Sequence, residues 1–315
     1  MTTLVTGANG FVGSALCARL LRDGTAARGA VRSPLSQPDD VEVIAIGSLS
    51  PETDWTAALR NVDQVVHLAA RVHIMNDKSS DPLAEFRRVN VEGTANLARQ
   101  AAEAGVRRFG YLSTIKVNGE FSEAGRPFTA DDAPAPDDPY GVSKHEAEQA
   151  LRQIATDTGM EVVIIRLPLV YGPGVKANFE SMMRWLARGA PLPLAAVTQN
   201  RRSLVALDNL VDLIMTCLSH PAAANQTFLV SDGEDLSTAD LLRRIGAALG
   251  HSARLFYVPP SLLKLGAQVL NKPGIYQRLC GSLQLDIIKT RRLLDWTPPV
   301  SVDEGLRRAA EGFRT

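Results

Sequence analysis

The chain has 315 residues, 45% hydrophobic and 22% charged, enough to bury a full core in one large domain or two smaller ones. Its 34 Lys and Arg balance 34 Asp and Glu. That argues against a general electrostatic grip on nucleic acid or an anionic membrane, although a local basic patch survives such a balance. Cys17, Cys217 and Cys280 are far apart and unpaired in sequence, which excludes a disulfide scaffold and a zinc ribbon. The five histidines show no metal-ligand spacing, so no protein-built metal site is expected. No uncharged apolar run is long enough to span a bilayer, and the first basic residue is Arg19, too late for the charged start of a signal peptide. The reading is a soluble, cytoplasmic protein.

Through the first half, apolar runs of strand length alternate with helical patterns. Strands are expected at Thr3–Thr6, Ala27–Val31, Val41–Ile46, Val62–Leu68, Phe109–Ser113 and Val162–Leu167. Helices are expected at Phe11–Arg22, Asp54–Arg60, Phe86–Glu103 and Tyr140–Asp157, several closed by glycine (Gly24, Gly105, Gly159). Near-continuous apolar strands fit a parallel sheet covered on both faces, and the alternation implies right-handed crossovers. The expected architecture is a doubly wound α/β domain over residues 1–170. Residues 120–139 form a long irregular segment before a helix that Asp137 or Asp138 can cap and Pro139 can open. After the sixth strand, Gly172-Pro173-Gly174 marks a change to mixed helices and short strands. Residues 171–315 therefore read as a smaller, mainly substrate-binding domain, with part of 202–230 returning to the sheet.

Thr3-Leu-Val-Thr-Gly7-Ala-Asn-Gly10-Phe-Val-Gly13 reads as strand, tight turn and helix. Gly7 permits the turn, Gly10 lets backbone approach a pyrophosphate, and Gly13 lets the helix pack closely on the strand; the helix N-terminus offers N–H groups to phosphate. The spacing is GxxGxxG rather than GxGxxG. Arg32 ends the second strand, where an acidic residue would hold the ribose of NAD; an arginine suits the 2′-phosphate of NADP. The plain alternative is a solvated arginine at a strand end.

Tyr140 and Lys144 lie four apart on one face of an expected helix. An ammonium beside a phenol lowers the phenol pKa and makes it an acid/base near neutrality. Thr114, just after the fifth strand, adds a hydroxyl able to polarise a carbonyl. The alternatives are a packing aromatic, a solvated lysine and an ordinary strand-end threonine.

These motifs, with His67-Leu-Ala-Ala70, Val89-Asn-Val-Glu-Gly-Thr94, Ser113-Thr114, Tyr140-Gly-Val-Ser-Lys144 and Arg166-Leu-Pro-Leu-Val-Tyr-Gly-Pro-Gly174, follow one another in an order that resembles the extended short-chain dehydrogenase/reductases. That superfamily contains nucleotide-sugar epimerases, dehydratases and reductases built on a Rossmann sheet, and the likeness runs to Leu293-Leu-Asp-Trp-Thr-Pro298. The resemblance implies Tyr140 as acid/base, Lys144 on the nicotinamide ribose and Thr114 on the reacting oxygen. It implies Gly7, Asn9, Gly10, Phe11, Val12, Gly13, Leu68, Ala69, Ala70, Asn90 and Ser113 around the cofactor, and Arg202 and Asn178 on a nucleotide diphosphate. It also implies a homodimer.

Three departures matter. The 4,6-dehydratases place Asp-Glu directly after the threonine, whereas Ile115-Lys116 follow Thr114, so water elimination lacks its groups. Ser48 stands where many members contact adenine through Asp, and Leu169 replaces a frequent asparagine. The stretch Ser113–Glu120, with Arg71, His73 and Gly172–Phe179, is most similar to bacterial 4-reductases of UDP-4-keto-6-deoxy-N-acetylhexosamines, which serve O-antigen and related polysaccharide assembly. The leading expectation is thus an NADP-dependent reductase of a UDP-linked 4-keto sugar, with NAD also open. Its rivals are a UDP-sugar 4-epimerase, a ketone reductase of the steroid or flavonoid type, and a non-catalytic NADP-binding protein; the last typically lacks the Tyr and Lys present here.

Overall fold

The computed structural model describes residues 1–33, 41–72, 81–123 and 125–314; His73 lies outside them. The chain opens with β1 (Thr2–Thr6), α1 (Phe11–Arg22), β2 (Ala26–Val31), β3 (Glu42–Ala45), α2 (Thr56–Leu59) and β4 (Gln64–His67). There follow α3 (Pro82–Phe86), a π-helical turn (Arg87–Gly93), α4 (Thr94–Glu103), β5 (Arg108–Thr114), α5 (Pro139–Thr158) and β6 (Glu161–Leu167). The strands β7 (Leu169–Tyr171) and β8 (Leu204–Ala206) flank α6 (Ala177–Ala187) and pair with each other. Beyond α7 (Leu207–Ser219), β9 (Thr227–Leu229) joins β6. The result is a seven-stranded parallel sheet in the order β3-β2-β1-β4-β5-β6-β9.

Both faces of the sheet are buried because neighbouring residues of each strand point to opposite sides. Val5, Val66, Val163 and Ile165 pack with Leu16, Cys17 and Leu20 of α1 and with Leu210, Leu213 and Ile214 of α7. Leu4, Val65, Val162 and Ile164 pack on the other face with Leu97 and Ala101 of α4 and with Ala147 and Leu151 of α5. The sheet is doubly wound, as its apolar strands imply. A third cluster joins α6 (Phe179, Met183, Leu186), α8 (Thr238–Leu249) and α12 (Val302–Arg314) around Tyr171. Between them in sequence come α9 (Pro260–Val269), α10 (Pro273–Cys280) and α11 (Ile288–Leu294).

One expected element needs correction. The helix expected at Phe86–Glu103 begins earlier, at Pro82 behind the Asp81 cap, and is interrupted by the π-turn before α4 resumes at Thr94. A π-turn rotates the following residues relative to an unbroken helix, and such turns gather at functional sites. Here the turn carries Asn90.

Candidate active site

The sheet's order reverses between β1 and β4, and the carboxyl ends of these strands with that of β5 define the crevice where ligands bind in doubly wound folds. Gly7 leaves β1 with φ +66°, and a Cβ there would lie 3.2 Å from the Ala69 nitrogen. A Cβ on Gly13 would come within 2.1 Å of the Gly7 oxygen, so only glycine lets α1 start this close to the turn. Gly10 is the α1 N-cap; it supplies no side-chain cap, and the first turn holds no acidic residue. The exposed N–H groups and positive dipole end are therefore left to an anion. Asn9 is exposed, while Phe11 and Val12 are half-buried on the adjacent core. A turn with a close backbone approach and an uncapped helix start is a cradle that fits a dinucleotide pyrophosphate.

The loop facing this turn is tied down by Thr6, His67 and Thr94, to which the sequence had assigned no role, and by Asn90, which it had placed at the cofactor. The Thr6 hydroxyl accepts the Leu68 and Ala69 N–H groups (3.0 and 3.1 Å), so its own hydrogen goes to His67 Nδ1 at 2.7 Å. His67 Nε2 then donates to Thr94 Oγ1 at 3.0 Å. Burial, helped by the nearby Lys144 charge, lowers the His67 pKa to about 3, so the ring is a neutral strut. Asn90 accepts from the Arg71 N–H (2.8 Å) and donates to the Arg71 carbonyl and Ser143 Oγ, both at 3.0 Å. Ser143 in turn donates to the Tyr140 carbonyl. Asn90 thus clamps the loop after β4 to the start of α5.

α5 begins as expected at Pro139, with Asp138 as the cap, its Oδ1 accepting from Gly141 N at 2.6 Å. Tyr140 is held against the Phe86 ring, centroids 6.0 Å apart, and Arg71 lies over Phe86. Lys144 is buried; its Nζ donates to the Leu112 carbonyl at 2.6 Å and sits 4.0 Å from the Tyr111 ring centre. Thr114 Oγ1 accepts the Lys116 N–H at 3.3 Å, which leaves its own hydrogen free to donate. The electrostatics differ from the expectation that Lys144 holds the phenol near neutrality. Burial raises the Tyr140 pKa to about 12, with the Asp138 charge adding to it. Burial also lowers Lys144 to about 7, which weakens the charge meant to stabilise a phenolate.

Ser113, expected at the cofactor, donates its hydroxyl hydrogen to Glu148 (2.6 Å), so its side chain has no hydrogen left to donate to a ligand. Glu148 is fully buried and held by Arg166 through two bonds, 2.9 and 2.6 Å, while Arg166 Nη1 reaches Asn118 Oδ1. Burial pushes the Glu148 pKa up, but Arg166 outweighs it and the net shift is downward. The residues after Thr114 are equally committed: Ile115 is buried, and the Lys116 ammonium is held by Asp138 and Glu120.

The expected substrate residues lie apart from this network. Asn178 is exposed on the first turn of α6. Arg202 is half-buried; its Nη1 donates to the Gly281 carbonyl at 3.1 Å, and its backbone pairs with Leu236. Burial lowers the Arg202 pKa. Arg32 and Ser48 are exposed, and so is Leu169.

Residues 3–231 match the NAD dependent epimerase/dehydratase family. The chain is 48% identical over 311 residues to UDP-glucose 4-epimerase of Vibrio cholerae, a match spanning 98% of this chain and 94% of the relative. It is similar, at 26% identity and a TM-score of 0.79, to the structure of MoeE5 in complex with UDP-glucuronic acid and NAD, covering 100% of this chain and 99% of that one. The UDP-N-acetylglucosamine 4-epimerase of Bacillus cereus shares the fold over the full length of both chains, at 22% identity and a TM-score of 0.82. With its glycine turn, its sheet order and its relatives in agreement, the chain belongs to the NAD dependent epimerase/dehydratase family.

Proposed function

We propose that this chain is a UDP-sugar 4-epimerase. The observation that carries the reading is the 48% identity, over nearly the whole chain, to a UDP-glucose 4-epimerase. This reverses the order in which the sequence ranked the two sugar reactions. In the proposal, residues 1–170 hold the cofactor: Gly7–Gly13 at the pyrophosphate, Leu68–Ala70 and Asn90 beside it, Lys144 at the nicotinamide ribose. Residues 171–315 mainly hold the substrate, with Arg202 and Asn178 at the diphosphate. A nicotinamide dinucleotide, when bound, supplies the hydride acceptor and donor at C4.

The side chains do the proton work. Tyr140 takes the proton from the C4 hydroxyl and later returns it, while Thr114 donates a hydrogen bond to that oxygen. Taking a proton requires the Tyr140 pKa to fall from about 12 when ligands fill the site. Lys144, with a pKa of about 7, can gain its full charge at little cost and assist that fall. Dehydration has no support, since Ile115 is buried and Lys116 is held by two carboxylates.

A second reading, reduction of a UDP-linked 4-keto sugar, draws on Arg32. Its place at the end of β2 suits the 2′-phosphate of NADPH, the usual source for net reduction. A phenol kept protonated also suits a donor that never has to accept. The test is to incubate the protein with UDP-glucose and follow the sugar signals by NMR. Epimerisation yields UDP-galactose with no loss of added reduced cofactor. Absence of interconversion, together with NADPH consumed in proportion to an added UDP-4-keto sugar, would favour reduction instead.

A further inference from the structure

α9 is a helix whose ten residues include none that is buried. Leu262, Leu265 and Val269 recur at i, i+3 and i+7 and stand 56%, 55% and 77% exposed, with Leu270 just beyond at 71%. Leu263, on the opposite side, and Leu279 and Cys280 of α10 pack against the third core cluster and anchor the pair of helices. Phe256 and Tyr257, shortly before α9 in the chain, and Ile275 of the neighbouring α10 are exposed as well. Large apolar side chains left exposed in a row along a helix are the mark of an interaction surface.

Charge identifies the partner. The chain as a whole is neutral, with 34 acidic residues, yet none occurs between Asp240 and Asp286. The same interval holds Arg254, Lys264, Lys272 and Arg278, all exposed. Among the described residues none of these four is engaged by a carboxylate, whereas Arg243 and Arg244 pair with Asp240, Glu234 and Asp303. A second copy docking through this acid-free stretch would set its cations against their own counterparts, like charge against like. An apolar stripe flanked by long cationic side chains, whose stems can lie along apolar surface while the charge stays in water, matches the boundary of an anionic bilayer. No helix of the described residues is long and apolar enough to cross a membrane, so α9 would lie in the interface plane.

We propose that α9 and α10 dock this protein reversibly on an anionic phospholipid bilayer. The inference is independent of the reaction assigned to the site. Its geometry connects to that site, because Arg202 bonds to Gly281 at the end of α10. Docking would therefore bring the substrate-side half next to the membrane.

Flotation tests this with vesicles of phosphatidylglycerol and phosphatidylcholine in equal parts against vesicles of phosphatidylcholine alone. The native protein is expected to float with the mixed vesicles only, and less so as salt is raised. Lys264→Glu/Lys272→Glu and Leu265→Ser/Val269→Ser should each reduce the bound fraction by about tenfold or more, with activity in solution unchanged. No flotation, equal flotation with both vesicles, or either double variant behaving as native overturns the proposal. So does sedimentation velocity showing self-association that Leu265→Ser/Val269→Ser abolishes, because the face would then belong to a second copy.

Discussion

The half proposed to hold the cofactor, residues 1–170, and the half proposed to hold the substrate, residues 171–315, are fixed in different ways at the candidate site. Around the glycine turn, backbone passes so close to backbone that a single methyl on Gly13 has no room, and the buried polar groups Thr6, His67, Asn90 and Glu148 each have named partners. On the other side, Arg202 holds one carbonyl through its guanidinium, Asn178 is exposed, and α9 touches the core through Leu263 while Leu262, Leu265 and Val269 stay exposed. The contrast teaches where adaptation is possible. The glycine turn cannot change without breaking close backbone packing and buried polar bonds, whereas the exposed stripe of α9 and the exposed Asn178 can change with little loss of internal contact.

The largest effect is expected on the cofactor side. Tyr140→Phe should lower kcat by roughly 10²–10⁴ with cofactor affinity unchanged, since only the transferable proton is lost. Steady-state rates and a cofactor titration check it, and near-native kcat would remove Tyr140 from the reaction.

Lys144→Met separates stability from activity in the same half. A lysine whose pKa is lowered from 10.5 to about 7 on folding loses stability as pH falls through that window, because the unfolded chain takes up the proton first. At pH 7 the methionine variant should therefore be more stable, by about 1–4 kcal/mol, and catalytically impaired. Thermal melts that find it less stable than native would show that the bonds to Leu112 and Tyr111 outweigh the burial.

His67 gives a smaller, pH-dependent effect. Its pKa falls from 6.5 to about 3 on folding, so its contribution is complete above 6.5 and is lost as pH drops toward 3. Lowering the pH from 6.5 to about 5 should cost the native protein about 2 kcal/mol through this group alone. In His67→Gln that part of the acid limb should flatten. Parallel acid limbs in the two proteins would mean that His67 is not the titrating group.

The same contrast decides what could be read from sequence. The parallel sheet was legible because strands buried on both faces are apolar throughout, and the Gly7–Gly13 turn because only glycine satisfies its geometry. Tyr140 and Lys144 were legible as a pair through helical spacing, but their pKa values were not, since these depend on burial and on Asp138. The π-turn at Arg87–Gly93 has no period of its own and was hidden in an apparently continuous helix. Thr6, His67 and Thr94 come together only across three elements, and Glu148 meets Arg166 and Ser113 only when α5 covers β5 and β6. The apolar stripe of α9 reads in sequence like any core helix; only the fold reveals that nothing covers it.

The division between the halves is tested most directly by calorimetric titration of UDP and of NADH and NADPH into native protein and Arg202→Ala. UDP binding should weaken by about 1.5–3 kcal/mol, the range for a hydrogen bond to a charged group. Binding of both dinucleotides should be unchanged, because their phosphates would rest on the Gly7–Gly13 turn. Equal UDP affinity for the two proteins, or a parallel loss of dinucleotide binding, would contradict the assignment of cofactor and substrate to separate halves.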